Sequence, residues 1–530
     1  MENQPRTRPI MGAMRWVTGF VLCWLGMAQI APERPPSARP RAGRVPLRRI
    51  SAATPFSSVC STAPFSGTVS LNAEVEPWLA INPLNPRNLI GVWQQDRWSN
   101  GGASGLVTAA SLDAGLSWSL TSVPFSQCSG GDYERATDPW VSFSPNGTAY
   151  QIGYSFNQSN ATQAMLVSRS VDGGFTWSHP ATLLRDTAPG IADDKESITA
   201  DPNDARFAYA VWDRLTGLNS ANPANSRGPV WFARTTDGGA SWEAARNIYD
   251  PGANAQTIGN RIVVLPDGTL VNGFELIRSA SAPLLRNNRI YPAVIRSRDQ
   301  GATWSDAILI AEAQPVGVSD VKTKMPVRTA AVVPALSVDP ARGMLYAVWE
   351  DAKFSSLERE GIAFATSSDG GLTWSAPIQV NQAANVQAFN PAIAVRVDGT
   401  IAVTYFDFRA DTADSATLLT TLWRITSADQ GKTWSEVALI PAFNLLDAPV
   451  AAGAGYFIGD YTGLATTGDA FYALFATANS GNADNPTDIF ITSEPSAGPD
   501  TRSNGHVEVN RLLIRRREDG AERPIPKRRK

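Results

Sequence analysis

The nine residues "SVDGGFTWS" (170–178) belong to a phrase that occurs six times along the chain. The other copies are "SLDAGLSWS" (111–119), "TTDGGASWE" (235–243), "SRDQGATWS" (297–305), "SSDGGLTWS" (367–375) and "SADQGKTWS" (427–435). Their aspartates are Asp113, Asp172, Asp237, Asp299, Asp369 and Asp429, spaced 59 to 70 residues apart. A period near sixty residues accommodates four short strands with their turns, so the repeat predicts a modular all-β fold.

Each copy has the form Ser/Thr-x-Asp-x-Gly-x-Ser/Thr-Trp, and this chemistry suits a tight turn. Glycine supplies the positive φ that such turns require, and the aspartate accepts hydrogen bonds from N–H groups of its own turn. The hydroxyls cap further backbone groups, and the tryptophan packs a large apolar surface against neighbouring strands. The phrase is therefore predicted to be structural rather than catalytic.

A second motif lies upstream of each phrase: two apolar stretches separated by Pro, Gly, Asn or Asp, which is typical of a hairpin. The six copies span 76–96, 138–155, 196–213, 260–276, 333–351 and 390–408, and a seventh, without the phrase, spans 456–477. Seven hairpins favour a β-propeller of seven four-stranded antiparallel blades, with six blades as the alternative. A terminal strand, from about 50–70 or from 506–516, is expected to complete the last blade and close the ring.

The phrase resembles the Asp-box, also called the bacterial neuraminidase repeat, which occurs in sialidases and other secreted propellers. The resemblance covers roughly residues 70–495. It implies that each box is a turn between the third and fourth strands of a blade, on the side opposite the active site. The six aspartates would then have a structural role.

Charge is distributed unevenly along the 530 residues. Residues 1–49 contain 9 Lys/Arg and 2 Asp/Glu, and residues 496–530 contain 10 and 5. The remaining 27 basic and 42 acidic residues give the segment 50–495 a net charge of −15. Such a body repels nucleic acid and anionic membrane surfaces, so neither is an expected partner.

The N-terminus has the pattern of an export signal: basic residues precede a thirteen-residue apolar run at 16–28 that ends in small residues. We predict a signal peptide (1–31), a disordered basic Pro-rich linker (32–49), the propeller (50–495) and a basic, largely disordered tail (496–530). A retained anchor is the alternative to cleavage. No second run is long enough to span a membrane, so a secreted or periplasmic location is expected.

Cys60 and Cys128 remain after removal of the signal, and an even pair in an exported chain predicts a disulfide, with two free thiols as the alternative. His179 and His506 lack the spacing of metal ligands, so no metal site is predicted. The Asp-containing loop 411–418 is weak evidence for calcium. No Gly-rich strand-to-helix turn indicates a nucleotide cofactor.

Candidate site residues lie where the chain enters the first strand of a hairpin or leaves the second. Acid followed by arginine recurs in three such places: Asp96–Arg97, Asp213–Arg214 and Asp407 with Arg409. One interpretation is ion pairs that join blades. The other is a funnel in which Asp96, Asp138 and Glu196 supply an acid and a base, arginines bind a sugar carboxylate and an exposed Trp98 stacks on the sugar.

Sialidases of this family use three arginines to bind the substrate carboxylate, a tyrosine nucleophile assisted by a glutamate, and an aspartate acid/base. The resemblance implies binding roles for Arg261 and Arg328, and a nucleophilic role for Tyr461, which follows Asp460. The family's early Arg-Ile-Pro signature is replaced here by "EVEPW" (74–78). Three hypotheses follow: a sialidase-like glycosidase acting on an acidic sugar, a non-catalytic propeller that binds glycan or protein, and a propeller polysaccharide lyase.

Overall fold

A computed structural model describes residues 46–61, 66–218, 226–279 and 288–493. The predicted signal peptide, most of the predicted linker, the tail 496–530 and the candidate strand 506–516 lie outside these residues. The described residues form an all-β structure with short 3-10 helices at Ser58–Ser61, Gln127–Ser129, Ala352–Ser355 and Leu445–Asp447. None of the helices described is long and apolar enough to cross a membrane.

The first eighteen strands are β1 (Arg48–Arg49), β2 (Val69–Ile81), β3 (Leu89–Trp98), β4 (Ala103–Ser111), β5 (Ser119–Thr121), β6 (Arg135–Phe143), β7 (Ala149–Phe156), β8 (Gln163–Ser170), β9 (Ala181–Asp186), β10 (Ile191–Ala200), β11 (Ala208–Thr216), β12 (Arg227–Gly228), β13 (Val230–Thr235), β14 (Arg246–Tyr249), β15 (Ala255–Val264), β16 (Leu270–Ser279), β17 (Asn288–Ser297) and β18 (Ile308–Leu309). They are followed by β19 (Val318–Ser319), β20 (Pro326–Val327), β21 (Ala335–Val338), β22 (Leu345–Asp351), β23 (Gly361–Ser367), β24 (Ile378–Gln379), β25 (Ala388–Val395), β26 (Ile401–Asp407), β27 (Leu419–Ser427), β28 (Ser435–Ala438), β29 (Phe443–Asn444), β30 (Val450–Ala451), β31 (Gly455–Tyr456), β32 (Gly463–Thr466), β33 (Phe471–Ala478) and β34 (Thr487–Thr492).

Most strands pair antiparallel with the next strand along the chain. Separate sheets run β21-β22-β23-β24, β25-β26-β27-β28 and β1-β34-β33-β32, and a small sheet runs β19-β20-β31-β30. In two larger sheets, β2–β5 join β6–β9 through a β4–β6 bridge, and β10–β14 join β15–β18 through β12. The first strands pack side by side in the order β2, β6, β10, β15, β21, β25 and β32, and β32 also packs against β2.

The N-terminal strand β1 pairs with β34, joining Arg48 to Ile491 and Arg49 to Phe490. The pairing strand therefore comes from the N-terminal side, and it begins within the segment predicted to be linker. Two contacts explain this early start: Arg49 Nη1 lies 3.2 Å from Asp488 Oδ2, and Ser51 Oγ donates to Asp488 Oδ1 at 2.7 Å. The composition of this segment predicts linker rather than strand, because both residues of β1 are arginine.

The six phrases form the aspartate turns, each joining a third strand to a fourth, as Asp172 does between β8 and β9. Asp172 Oδ1 accepts from Thr176 N at 3.0 Å and Oδ2 accepts from Thr176 Oγ1 at 2.6 Å. Ser170 Oγ donates to Asp172 Oδ1 at 2.8 Å and accepts from Gly174 N at 2.9 Å. The same bonds recur at Asp113, Asp237, Asp299, Asp369 and Asp429. Each carboxylate is thus bound by its own turn.

Tryptophans of the second strands fill the interior between neighbouring sheets. Trp93 (β3), Trp212 (β11) and Trp349 (β22) are completely buried. Each indole N–H donates to a side-chain oxygen 3.1 Å away. A buried indole needs such an acceptor, because an unpaired N–H would retain its full desolvation penalty.

Cys60 and Cys128 are joined by a disulfide, with their Cα atoms 5.8 Å apart. The bond links the helix Ser58–Ser61 to the helix Gln127–Ser129. The N-terminal segment is therefore fixed to the loop that precedes β6.

Candidate functional site

Five of the first strands contain a β-bulge at the same position, where one residue adopts positive φ. These residues are Glu76, Asp138, Lys195, Gly259 and Asn390, with φ of 54°, 49°, 49°, 71° and 49°. Positive φ is uncommon outside glycine, and bulges redirect the side chains beside them. The repeated bulge therefore turns charged residues of different strands toward one another.

Lys195 lies at the centre of a buried cluster of charges, here called the Lys195 cluster. Its Nζ is 2.6 Å from Asp460 Oδ2, 2.7 Å from Asp138 Oδ1 and 3.1 Å from Glu76 Oε1. Burial favours the neutral amine, but Asp138, Asp460 and Glu76 together hold the Lys195 pKa well above its usual value. One ammonium thus neutralises carboxylates from three separate parts of the chain, as buried charges require.

Glu76 is the member of the cluster whose protonation is most sensitive to conditions near neutrality. Burial, and then the Asp138 carboxylate, raise the pKa of Glu76 to about 7. Gln94 Nε2 donates to Glu76 Oε2, and Arg97 Nη1 donates to Gln94 Oε1 at 2.7 Å. Arg97 is therefore connected to Glu76 through Gln94, and its Cζ lies 4.9 Å from the centre of the Phe457 ring.

Beside the Lys195 cluster is a cavity of about 70 Å³, here called the bulge cavity. Its polar side is formed by Lys195, Glu196, Asn260, Arg261, Asp460, Tyr461 and Thr462. Apolar residues, including Val333, Pro334 and Pro391, form the wall opposite. A mainly apolar pocket with a few convergent polar groups is the usual form of a small-molecule site.

Arg261 provides a positive charge that this cavity does not neutralise. Its Cζ lies 4.6 Å from the Trp78 ring centre and 5.3 Å from that of Trp140, and the two indoles stack with centres 3.4 Å apart. Burial lowers the Arg261 pKa to about 10. Within the described part of the chain, no carboxylate pairs with this guanidinium. Its aromatic contacts position it without using up its hydrogen-bond donors.

Two further polar groups of the bulge cavity lack partners among the described residues: Glu196 Oε2 and Thr462 Oγ1, both buried. The other Glu196 oxygen accepts from Tyr154 N. Burial, followed by the Asp138 charge, raises the Glu196 pKa well above its usual value. Burial therefore favours the protonated form of Glu196, and its second oxygen has no hydrogen-bond partner among the described residues.

Tyr461 packs over the tryptophan pair and close to the cluster. Its ring centre is 5.3 Å from that of Trp140 and 5.7 Å from Lys195 Nζ, and its Oη donates to Pro139 O at 3.4 Å. Burial, and then the Glu76 charge, raise the Tyr461 pKa well above its usual value. The phenol is therefore neutral, and a nucleophilic role requires a base to take its proton.

The structure brings together six of the predicted site residues: Asp138, Glu196, Arg261, Arg328, Asp460 and Tyr461. Sequence reasoning missed Lys195, Glu76, Trp78 and Trp140. A signal for three of them was present in the repeated openings "EPW" (76–78), "DPW" (138–140) and "NPA" (390–392). Each opening has its bulge residue directly before a proline.

In two of the three acid–arginine motifs the adjacent residues do not contact each other, because neighbouring residues on a strand point to opposite faces. Arg214 pairs with Asp186 at 2.6 Å and with Asp193 at 3.0 Å. Asp213 instead accepts from Gly259 N, in strand β15, at 2.9 Å.

Asp96 likewise does not pair with Arg97. It accepts from Thr54 Oγ1 at 2.6 Å and from Asn72 N at 2.8 Å, away from the bulge cavity. Trp98 is 3% exposed, with the Arg135 guanidinium 4.2 Å above its ring, so the expected exposed platform is wrong.

The third pair does form. Arg409 Nε lies 2.7 Å from Asp407 Oδ2, and Arg409 Nη1 lies 2.6 Å from Glu436 Oε2. Both contacts lie within the sheet β25–β28, so Arg409 and Asp407 have a local structural role.

The loop 411–418 supplies its oxygens to a lysine. Lys322 Nζ donates to Asp411 Oδ2 at 2.7 Å, to Asp414 O at 3.0 Å, to Thr412 O at 3.2 Å and to Thr417 O. The oxygens that suggested calcium thus surround an ammonium group. Among the described residues, no group of three or more His, Cys, Asp or Glu side chains is arranged to hold a metal ion.

No protein-family model and no curated protein matches this sequence. Among solved structures, the Hadza microbial sialidase Hz136 is similar, with 15% identity, a TM-score of 0.45, and coverage of 77% of this chain and 73% of that one. The α-L-arabinofuranosidase Arb93A from Fusarium graminearum has 13% identity and a TM-score of 0.43 over 85% and 98% of the two chains. The Penicillium chrysogenum α-L-arabinanase has 15% identity and a TM-score of 0.40 over 68% and 95%. At these scores, the likenesses decide nothing about the activity of this chain.

Proposed function

We propose that this protein is a closed seven-bladed β-propeller whose bulge cavity binds a sugar acid and hydrolyses its glycosidic bond. The strand pairing supports seven blades: β2–β5, β6–β9, β10–β14, β15–β18, β21–β24, β25–β28, and β32–β34 completed by β1. The side-by-side order of the first strands, returning from β32 to β2, supports closure. The aspartate turns then correspond to Asp-boxes, each between a third and a fourth strand.

Unsatisfied groups in the bulge cavity are the observation on which the ligand assignment rests. Arg261 has no carboxylate partner among the described residues, and Glu196 Oε2 and Thr462 Oγ1 lack hydrogen bonds there. Leaving the two buried oxygens unpaired costs about 1–3 kcal/mol each. A sugar carboxylate provides the two-oxygen partner that a guanidinium prefers, and sugar hydroxyls satisfy the other two groups.

The proposed reaction uses Glu196 as general acid and Tyr461 as nucleophile. Glu196 donates its proton to the leaving oxygen while the Tyr461 oxygen bonds to the anomeric carbon and the glycosidic bond breaks. The Tyr461 proton passes to the carboxylates of the Lys195 cluster, of which Glu76, with a pKa of about 7, is the base poised near neutrality. Water then attacks the anomeric carbon and the tyrosyl–sugar bond breaks. The water gives a proton to Glu196, and the cluster carboxylate returns its proton to the Tyr461 oxygen, so each group regains its starting state.

The test is hydrolysis of aryl glycosides of sialic acid, glucuronic acid and arabinose by the full chain. Arg261→Met is expected to raise KM for the acidic glycosides at least tenfold while leaving the neutral arabinoside unaffected. Glu196→Gln is expected to lower kcat by about a hundredfold or more, because general acid catalysis contributes about 10²–10⁴-fold. Arg206→Met, which removes a guanidinium exposed on the surface, is the matched control. Unchanged kinetics in both cavity variants contradict the proposal.

A non-catalytic glycan-binding propeller is the second candidate, favoured by the state of the other arginines. Arg328 is paired with Asp460, Arg97 with Gln94, and Arg409 with Asp407, so three arginines do not converge on one ligand. Under this alternative, wild type and Glu196→Gln bind a sugar acid equally and neither cleaves any glycoside. Arg261→Met still abolishes binding.

A secreted or periplasmic location belongs to the same proposal. The Cys60–Cys128 disulfide supports it, because such bonds persist in oxidising compartments. Non-reducing mass spectrometry of the native protein tests the bond directly.

A further inference from the structure

A second cavity, here called the turn cavity, lies where strands β7 and β8 meet the aspartate turn of Asp237. It has a volume of about 250 Å³ and is lined by Tyr150, Ser168, Arg169, Ser178, His179 and Trp242, together with small apolar residues. The described residues that line it are all different from those of the bulge cavity. It is therefore a separate place for a ligand.

Tyr150 contributes a buried hydroxyl with no partner among the described residues. The side chain is 0% exposed, and its ring packs edge-on to Trp242 with centres 6.3 Å apart. Burial raises the Tyr150 pKa to about 12, so the hydroxyl is a neutral donor at physiological pH. A buried polar group without a hydrogen bond normally has a functional explanation.

The hydroxyl is not needed for packing, as the equivalent contacts of other aspartate turns show. The second turn glycine, Gly239, lies against the Tyr150 ring: a Cβ added there would be 2.6 Å from Tyr150 Cε1. At the corresponding glycines of other turns the neighbour is apolar: Gly174 meets Ile90, Gly301 meets Phe232 and Gly431 meets Phe364, at 2.6, 2.6 and 2.5 Å. An apolar residue therefore suits this position, and packing against the turn does not require the Tyr150 hydroxyl.

The polar lining of the turn cavity consists of donors without an acid. Arg169 Nη1 donates to Gly238 O at 2.9 Å, which fixes the guanidinium at the edge of the cavity. His179 and Ser178 are exposed at the rim, and none of the described lining residues is acidic. A site rich in donors and lacking carboxylates favours an anionic ligand rich in acceptors.

We propose that the turn cavity is a second saccharide site that binds a sugar acid. The sugar carboxylate pairs with Arg169 and the ring packs against Trp242. A ring hydroxyl accepts from Tyr150 Oη after a shift of the lining side chains, because this oxygen is buried in the unliganded protein. The proposal goes beyond hydrolysis at the bulge cavity and does not depend on turnover. Its role is to attach the protein to an acidic glycan at the face that carries the aspartate turns.

Isothermal titration of the full chain with D-glucuronate and with N-acetylneuraminate tests this site, with D-glucose as the neutral comparator. In the Arg261→Met background, which removes binding at the bulge cavity, one sugar-acid site is expected to remain. Adding Arg169→Gln is expected to weaken that site at least tenfold, and adding Tyr150→Phe about fivefold, consistent with one hydrogen bond. D-glucose is expected not to bind.

The Tyr150→Phe change removes only a buried, unpartnered oxygen, so its Tm should be no lower than that of the parent, which separates a binding effect from unfolding. Complete loss of sugar-acid binding in Arg261→Met alone overturns the second site. So does a remaining site that is insensitive to both Arg169→Gln and Tyr150→Phe. Failure of the proposed hydrolysis, by contrast, appears only as absent turnover and leaves these titrations unaffected.

Discussion

Arg328 contacts both carboxylate oxygens of Asp460, with Nε 3.1 Å from Oδ1 and Nη2 2.6 Å from Oδ2, although 132 positions separate the two residues. Asp460 also receives Lys195 Nζ at 2.6 Å. Burial opposes ionisation of this carboxyl, but Lys195 and Arg328 hold its pKa well below the usual range. One aspartate thus connects the segment before β21, strand β10 and the segment before β32.

Asp460→Asn is expected to destabilise the protein by about 3 kcal/mol, because it removes the carboxylate that the buried Lys195 shares with the partly exposed Arg328. Urea unfolding at pH 7 measures the effect. Arg206→Gln breaks an exposed pair with Asp204 and is the matched control, for which no change is expected. A loss in Asp460→Asn no larger than in this control would show that the cluster contributes nothing to folding.

Glu360 is expected to make the free energy of unfolding decrease as the pH rises. Burial raises its pKa from 4.5 to about 7, although Val316 N and Gly317 N donate to it. Between pH 4.5 and 7 the folded state therefore holds a proton that the unfolded state has lost, so Glu360 lowers stability as pH rises. Glu360→Gln is expected to be as stable as wild type at pH 4.5. Between pH 4.5 and 7, its free energy of unfolding is expected to exceed that of wild type by up to about 1.4 kcal/mol more for each pH unit. Chemical unfolding at several pH values checks this, and Glu358→Gln, which is exposed, should run parallel to wild type.

Asp172→Ala is expected to cost about 2 kcal/mol, because several hydrogen bonds of one partly exposed turn are lost together. Asp172→Asn keeps one acceptor oxygen and should lose less. The measurement is the thermal unfolding midpoint, together with aryl-glycoside hydrolysis at the bulge cavity per folded molecule, which should be unchanged. Reduced hydrolysis in the folded variant would give the aspartate turn a role at the bulge cavity that its geometry does not predict.

Cys60→Ser with Cys128→Ser is expected to lower stability by about 4 kcal/mol, because the bond closes a loop with a sequence separation of 68 residues. Urea unfolding of wild type with and without a reducing agent provides an independent comparison. Equal stability of reduced and oxidised wild type would show that the N-terminal segment is held by its other contacts alone.

The repeated turns could be predicted residue by residue because their chemistry is local. Asp172, Ser170 and Thr176 lie within seven positions of one another, so the sequence contains every partner of the turn. The pairing of Arg214 could not be predicted in this way. Its neighbour Asp213 lies on the opposite face of the strand, and Asp186 and Asp193, which no local pattern connects with Arg214, contact the arginine.

The sequence by itself determined the strand modules and the aspartate turns, because short-range hydrogen bonding and strand periodicity depend on neighbouring residues. Only the tertiary structure decided that Lys195 joins Glu76, Asp138 and Asp460, and that Arg261 has no acidic partner among the residues described. These relationships depend on bulges that redirect single side chains in strands far apart in sequence. No local pattern specifies which of the many charged residues those bulges will bring into contact.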